Sequence, residues 1–248
     1  NYSPSGPGGV DDITKATNIN EQYHMSLQYW SHLVDNGTLK DPSSFINSLP
    51  HMSFVWGDDH ASYLQARYET MVPNPLFAEM QHTEDPDQIA EWAPLLTEGR
   101  APNQRVAASR FEAGTDVDFG ALTRQLINKM GDDGVELNFG HKVTRLTRDT
   151  DGGWEVAVQD RLNDRKFTVK ARFVFIGAGG GALDLLQSSG IPEAKGYGGF
   201  PISGQFLRST NQEVIDRHHA KVYGRAAVGA PPMSVPHLDT RFVDGRRS

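Results

Sequence analysis

The run Phe173-Val174-Phe175-Ile176-Gly177-Ala178-Gly179-Gly180-Gly181-Ala182-Leu183 constrains this chain more than any other stretch. Four consecutive apolar residues suit a strand buried on both faces of a parallel sheet. The glycines behind them let the backbone turn tightly and approach a large anionic or planar ligand with no Cβ in the way. Leu183 to Gln187 then reads as a helix. Taken alone, Gly177-x-Gly179-x-x-Ala182 fits the strand–turn–helix fingerprint of dinucleotide binding. That fingerprint also requires a second strand and an acidic residue about 20 positions on. Here Gly190-Ile191-Pro192 intervenes and neither follows, so the chain does not open a dinucleotide fold at this point.

What precedes the glycines gives them a different setting. Residues 1–17 are rich in Gly, Pro and Ser, which is loop chemistry. They read as a terminus or linker rather than a phosphate loop, since no strand precedes them and no Lys-Ser/Thr pair closes them. Asn18–Asn36 carries a helical stripe of Ile19, Tyr23, Ser26, Trp30 and Leu33, with Asn18 and Glu21 spaced as a capping box and Gly37 as the stop. Ser53 to Trp56 reads as a short strand and Ala61 to Met71 as a second helix, ended by Pro73 and Pro75. Asp85 to Trp92 reads as a short, mostly solvated acidic helix. Val106 to Arg110 reads as a strand, and Gly114 to Asp118 as a turn into a third helix with Asp118 as N-cap. Phe119, Leu122, Leu126, Ile127 and Met130 mark one face of that helix.

Four strands are then expected at Val135–Phe139, Lys142–Arg148, Trp154–Gln159 and Lys166–Lys170, separated by the turn signals Asp151-Gly152-Gly153 and Asn163-Asp164. This antiparallel meander leads into Phe173–Ile176. Beyond the glycines, Phe200–Leu207 and Lys221–Gly224 read as extended, Val214–His219 as ambiguous, and Pro231–Arg241 as a Pro-bounded extended segment. A helix, a meander and a buried strand ending in glycines fit the later half of a two-domain flavoprotein. The fold class is therefore α/β plus antiparallel β, with the glycine turn close to a flavin nucleotide. The alternative is a glycine turn that only joins strand to helix.

The 248 residues suffice for one large domain or two smaller ones. A net charge of −7 argues against nucleic acid as partner. No run of about 18 apolar residues offers a membrane span, and no signal peptide opens the chain. Zero cysteines exclude disulfides, thiolate metal sites and a cysteine nucleophile, and fit a reducing compartment. Adjacent His218 and His219 need not converge on one ion, and no carboxylate spacing supports a metal site.

Longer strings are more specific than the glycines. Leu49-Pro50-His51-Met52-Ser53-Phe54-Val55-Trp56-Gly57, Gly114-Thr115-Asp116-Val117-Asp118-Phe119-Gly120 and Ile176–Leu183 are three of them. Phe200–Arg208, Lys221-Val222-Tyr223-Gly224 and Gly229–Arg241 continue the series, so nearly the whole chain is covered. Together they resemble the malate:quinone oxidoreductase family, whose members are FAD-dependent. The resemblance implies oxidation of (S)-malate to oxaloacetate, with electrons passed from FAD to a membrane quinone. It also implies a cytoplasmic location with peripheral contact at the cytoplasmic membrane. Members begin with a strand–GxGxxG–helix unit and continue past residue 248, so the resemblance implies a central piece of a longer enzyme, inactive in isolation. It divides the chain into residues 1–37 and 113–195 of an FAD domain and residues 38–112 and 196–248 of a substrate domain. A non-catalytic α/β fragment without cofactor, and a flavin dehydrogenase of another 2-hydroxy acid, stand as alternatives.

Malate is a dicarboxylate with a hydroxyl on C2, so its oxidation needs cations for the carboxylates, a base for the hydroxyl proton and an acceptor for the hydride. Arg suits carboxylates through its planar fork, and His suits the base role. The pairing that the resemblance favours is His237 with Arg241. On a strand, His237, Asp239 and Arg241 would share a face, with Asp239 able to orient the imidazole. A surface strand with a salt-bridged Asp–Arg pair is the other reading. His51, Ser53, Arg67 and Gln205 are further substrate-binding candidates. For His51 a hydrogen-bonded structural histidine is the default reading, and Arg67 reads equally as a solvated helix residue. Gly177, Ala178, Gly179 and Gly180 are the FAD candidates through backbone contact, and the resemblance adds Val143 on the adenine side.

Overall fold

The computed structural model describes residues 9–201, 204–226 and 235–248. The helices are α1 (Thr14–Asp35), α2 (Asp58–Met71), α3 (Pro86–Trp92), α4 (Phe119–Asp132), α5 (Ala182–Ser188) and α6 (Gln212–Asp216). The strands before α4 are β1 (Ile46–Ser48), β2 (His51–Trp56), β3 (Gln81–Thr83), β4 (Val106–Phe111) and β5 (Thr115–Val117). After them come β6 (His141–Arg148), β7 (Trp154–Asp160), β8 (Arg165–Ala171), β9 (Lys221–Tyr223), β10 (His237–Asp239), β11 (Phe242–Val243) and β12 (Arg246–Arg247). The architecture is mixed α/β with antiparallel sheets. Two compact units are present, Asn1–Asp133 with Leu207–Ser248, and Gly134–Phe206.

The first unit is built on a five-stranded sheet ordered β10-β9-β2-β4-β3, in which β2 and β9 run parallel and the other pairs antiparallel. Strand alternation gives this sheet two chemically different faces. Met52, Phe54, Val106, Ala108 and Val222 fill one face and pack under Ile89, Ala93 and Leu96 from α3 and the turn after it. Burial of side chains of this size stabilises by about 1.5–3 kcal/mol each. The expectation that α3 is mostly solvated therefore holds only for its outer side, because Ile89 is fully buried. The opposite face carries His51, Ser53, Val55, Ala107, Ser109, Lys221, Tyr223, His237 and Asp239 by register. Helix α2 lies on it, with Ala61 and Leu64 packed against Val55 and Ala107.

Helix α1 starts at Thr14, a turn earlier than the Asn18 cap implies, and Gly37 ends it at φ +76°. Its stripe serves two cores: Ile19 packs with Met71 and Phe77, while Trp30 and Leu33 pack with Phe45 and Leu122. Asp118 caps α4 as expected, accepting from Ala121 N at 2.9 Å. Leu122 is buried on α4, whereas Phe119 and Met130 face outward. The segment read as a turn before α4 is a strand: Thr115–Val117 pairs with Ile46–Ser48, and Gly114 O accepts from Leu49 N. Gly114 is required there by close approach, since a Cβ would sit 2.3 Å from Leu49 O.

The second unit is the expected meander β6-β7-β8. Lys170 of β8 reaches the turn of its first hairpin, Nζ donating to Asp149 Oδ2 at 2.8 Å. The second hairpin is gathered by buried Asp160, which accepts from Leu162 N, Asn163 N, Asn163 Nδ2 and Arg165 Nη2. The Asn163 side chain, ahead of Arg165, holds this carboxyl well below the usual carboxylate range. Helix α5 docks on β6, where Leu146 N donates to Ser188 Oγ.

Three strand expectations are corrected. Phe173–Ile176 pairs with no described strand, and Phe173 and Phe175 are 79% and 84% exposed. Val174 and Ile176 are half-buried, so the run covers one side only. The apolar pattern states what a strand can bury, but the ladder that buries it needs a neighbouring backbone, and this unit's three strands pair only with one another. Val135–Phe139 is likewise unpaired and exposed. Phe200–Leu207 forms no strand among its described residues, and 202–203 lie outside them. Of Pro231–Arg241, residues 231–234 lie outside the description and the rest contains β10. The ambiguous Val214–His219 contains the end of α6.

Candidate active site

The polar face of the five-stranded sheet gathers four of the sequence candidates. Register sets Ser53 and His237 on either side of Tyr223, and His51 and Asp239 on either side of Lys221. The Tyr223 ring joins the two histidines. It stacks on His51 at 5.1 Å between centroids and meets His237 edge-on at 4.3 Å. Asp239 Oδ2 lies 3.9 Å from His237 Nδ1 and 3.8 Å from Lys221 Nζ. Asp239 therefore faces the imidazole at ion-pair range rather than through a direct hydrogen bond.

Buried charge frames this cluster from below. Lys221 Nζ donates to Asp116 Oδ1 at 2.7 Å, and Asp116 Oδ2 accepts from Phe242 N at 2.7 Å. Asp116 on β5 thus ties β9 to the turn after β10. A buried pair of this kind is costly to break from one side, because the remaining charge keeps only a more distant partner. Arg241 Nη1 reaches the same Asp116 Oδ1 at 3.5 Å. Its backbone leaves the β9–β10 ladder and exchanges bonds with Ser248. Arg241 is half exposed, and its charge is shared with Asp116.

His51 and Ser53 sit deeper, under α2. Burial, with Lys221 adding to it, pushes the His51 imidazole down to about 3. The ring is consequently neutral at physiological pH, and it contributes as a dipole rather than a cation. His51, Ser53 and Ser109 line a cavity of about 10 Å3 with Arg67 and Tyr68 of α2. That is room for about one water. Arg67 is 1% exposed and donates through Nη1 to Val10 O and Asp12 O at 2.8 and 2.7 Å. It anchors the segment before α1 onto α2, in place of the solvated helix position that its spacing also allowed. Burial raises the Tyr223 hydroxyl above its ordinary value, and Asp239 acts in the same direction, so it stays protonated.

The remaining candidates lie in the second unit. Gly177, Ala178, Gly179 and Gly180 are exposed and lead through a 3-10 turn into α5. Gly179 has φ +52°, and a Cβ built on Gly179 or Gly180 meets nothing within 4 Å. The backbone is thus open to a bulky group at the turn, which fits the close approach a flavin nucleotide requires. Val143 is half-buried on β6 beside a bulge, and Gln205 is exposed. Sequence reasoning missed Tyr223, Lys221 and Asp116. The alternation Lys221-x-Tyr223 was visible, but its importance depends on the parallel β2–β9 register. Among the described residues no cluster of His, Asp or Glu could hold a metal, and no helix is long and apolar enough to cross a membrane.

Comparison with known proteins places this sequence in a family. The family model described as malate:quinone oxidoreductase matches residues 1–248. A probable malate:quinone oxidoreductase of Micrococcus luteus is 66% identical over 248 residues, spanning all of this chain and 50% of the relative. Those of Paenarthrobacter aurescens and Pseudomonas aeruginosa are 58% and 54% identical, with 50% and 47% of the relatives covered. The chain spans about half the length of the curated relatives it matches. Among solved structures, L-proline dehydrogenase from P. horikoshii is 14% identical with a TM-score of 0.48, over 81% of this chain and 48% of that one. The likeness in structure is too remote to add to the argument, but the match in sequence is complete along the chain: it belongs to the malate:quinone oxidoreductase family.

Proposed function

We propose that the whole protein carrying this span oxidises (S)-malate to oxaloacetate, with FAD as cofactor and a membrane quinone as final acceptor at the cytoplasmic membrane, met peripherally from the cytoplasmic side. The observation that carries the reading is the family match over the entire chain. Bound FAD would supply the acceptor for the hydride from C2. The exposed backbone of Gly177, Ala178, Gly179 and Gly180 would hold it, with Val143 as a further contact, and Gln205 would serve the substrate.

The work of this chain's own residues centres on the polar sheet face. His237, partly exposed, takes the proton from the C2 hydroxyl. Asp239, at 3.9 Å from Nδ1, stabilises the imidazolium that this transfer creates. Tyr223 fixes the plane of the His237 ring from its edge. Arg241 presents its fork to a substrate carboxylate. His51 and Ser53 act from beneath Tyr223 as neutral polar support, and Arg67 acts through the helix it anchors.

The test is His237→Ala in the full-length enzyme with FAD still bound. Malate-dependent dye reduction should fall by about 10²–10⁴-fold, the usual worth of a general base. Unchanged reduction would overturn the assignment of the base. Wild-type turnover of malate against 2-hydroxyglutarate and lactate tests the substrate; preference for either of the latter would replace malate.

A further inference from the structure

Arg225 lies two residues beyond Tyr223, and its guanidinium carbon sits 3.6 Å from the ring centroid of Tyr63 on α2. The position is held by the backbone. Gly224 N donates to Pro236 O at 2.8 Å, and a Cβ on Gly224 would come within 2.7 Å of Pro236. The chain therefore keeps its course past the end of β9. Alternation then returns Arg225 to the side of Lys221 and Tyr223, and contact with α2 fixes that side as the one bearing His51 and His237.

The cations on this face are unequally committed. Lys221 is bonded to Asp116, and Arg241 lies 3.5 Å from the same carboxylate. Arg225 is half-buried, and among the described residues no carboxylate stands within ion-pair distance of it. A guanidinium stacked on an aromatic ring keeps both edges of its planar fork open, and stacking removes much of the freedom it would otherwise lose on binding. His237 is opposite Tyr223, so Arg225 stands one alternation step from the proposed base, on the side away from Arg241.

We propose that Arg225, held on Tyr63, binds the second carboxylate of a dicarboxylate substrate and so selects dicarboxylic over monocarboxylic 2-hydroxy acids. The inference rests on the malate reading and deepens it. Arg241 takes one carboxylate, Arg225 takes the other, and His237 meets the hydroxyl between them.

The experiment compares wild type, Arg225→Leu and Arg225→Lys in the full-length flavoenzyme. Arg225→Leu should raise the malate KM by about 100-fold with kcat changed by less than about threefold, the pattern of a lost binding contact. Succinate, a four-carbon dicarboxylate without the hydroxyl, should raise the wild-type melting temperature and leave that of Arg225→Leu unmoved. Propionate, a monocarboxylate, should act alike on both. Arg225→Lys keeps the charge without the fork and should raise KM by about tenfold; it carries the test should the leucine variant fail to fold. An unchanged KM with succinate protection intact overturns the proposal. So does an equal loss of response to succinate and propionate, which marks a merely structural arginine. A wild type that neither oxidises malate nor responds to succinate sinks the malate reading itself, and is thereby told apart from failure of Arg225 alone.

Discussion

His51 makes stability depend on pH between its ordinary value and its buried one. Its folded pKa of about 3 lies below the ordinary 6.5. The unfolded chain therefore takes up the proton first as pH falls. The stability due to a neutral His51 is complete above about pH 6.5 and is lost progressively toward pH 3. Each pH unit within that window costs about 1.4 kcal/mol, so the loss is about 1 kcal/mol at pH 6 and about 2 kcal/mol at pH 5. Burial also pushes His82 and His218 down, so the slope of the wild type alone contains all three. The difference between wild type and His51→Asn isolates one of them. Urea midpoints of the full-length protein at pH 7, 6 and 5 should converge, the variant losing about 2 kcal/mol less than wild type on going to pH 5. Parallel curves would refute the claim that a ring stacked on Tyr223, with Nε2 closed to solvent, cannot charge in place.

Two further substitutions probe the framework of the same face. Asp116→Asn leaves an acceptor for Phe242 N but takes the nearer counter-charge from buried Lys221, leaving only Asp239 at 3.8 Å, and should cost about 3 kcal/mol. Adding Lys221→Met should recover most of that in a double-mutant cycle; an additive loss in urea unfolding would show that the ion pair is not the source. Gly114→Ala drives a methyl into Leu49 O and to 2.9 Å from His51 N, both rigid backbone atoms. It should lower stability by about 1–3 kcal/mol, and a melting temperature within about 1 °C of wild type would contradict the contact.

The elements that the sequence disclosed are those stabilised by neighbours along the chain. Asp118 caps α4 from one position before it, and Gly37 ends α1 at φ +76°. The meander is set by its own turns, with Gly152 at φ +82° and Asp160 collecting four donors within five residues. Thr115–Val117 was legible only as a turn, because its strand character comes from Ile46–Ser48, far back in the chain. Phe173–Ile176 shows the converse. Its composition demands burial on both faces, yet composition supplies no partner strand, and the backbone amides of the run find no ladder in this unit.

The candidate site follows the same logic. His237 and Asp239 could be placed on one face from spacing alone, since β10 holds both in register with Tyr223 and Lys221. The same spacing does not carry the backbone of Arg241 along with them, and only its guanidinium returns, to Asp116. Thr240 N bonds Ala220 O and Thr240 Oγ1 bonds His218 O, and the next residue turns away to pair with Ser248. Spacing is a property of one strand, whereas a site is made by the register between strands. The parallel pairing that sets Ser53 beside Tyr223 brings His51 under the Tyr223 ring, and it turns Lys221-x-Tyr223-x-Arg225 from an unremarked alternation into a row of functional groups. A charged residue that period two aims at such a face, and that no carboxylate among the described residues answers, is therefore the one whose removal should be read first in substrate binding and only second in stability.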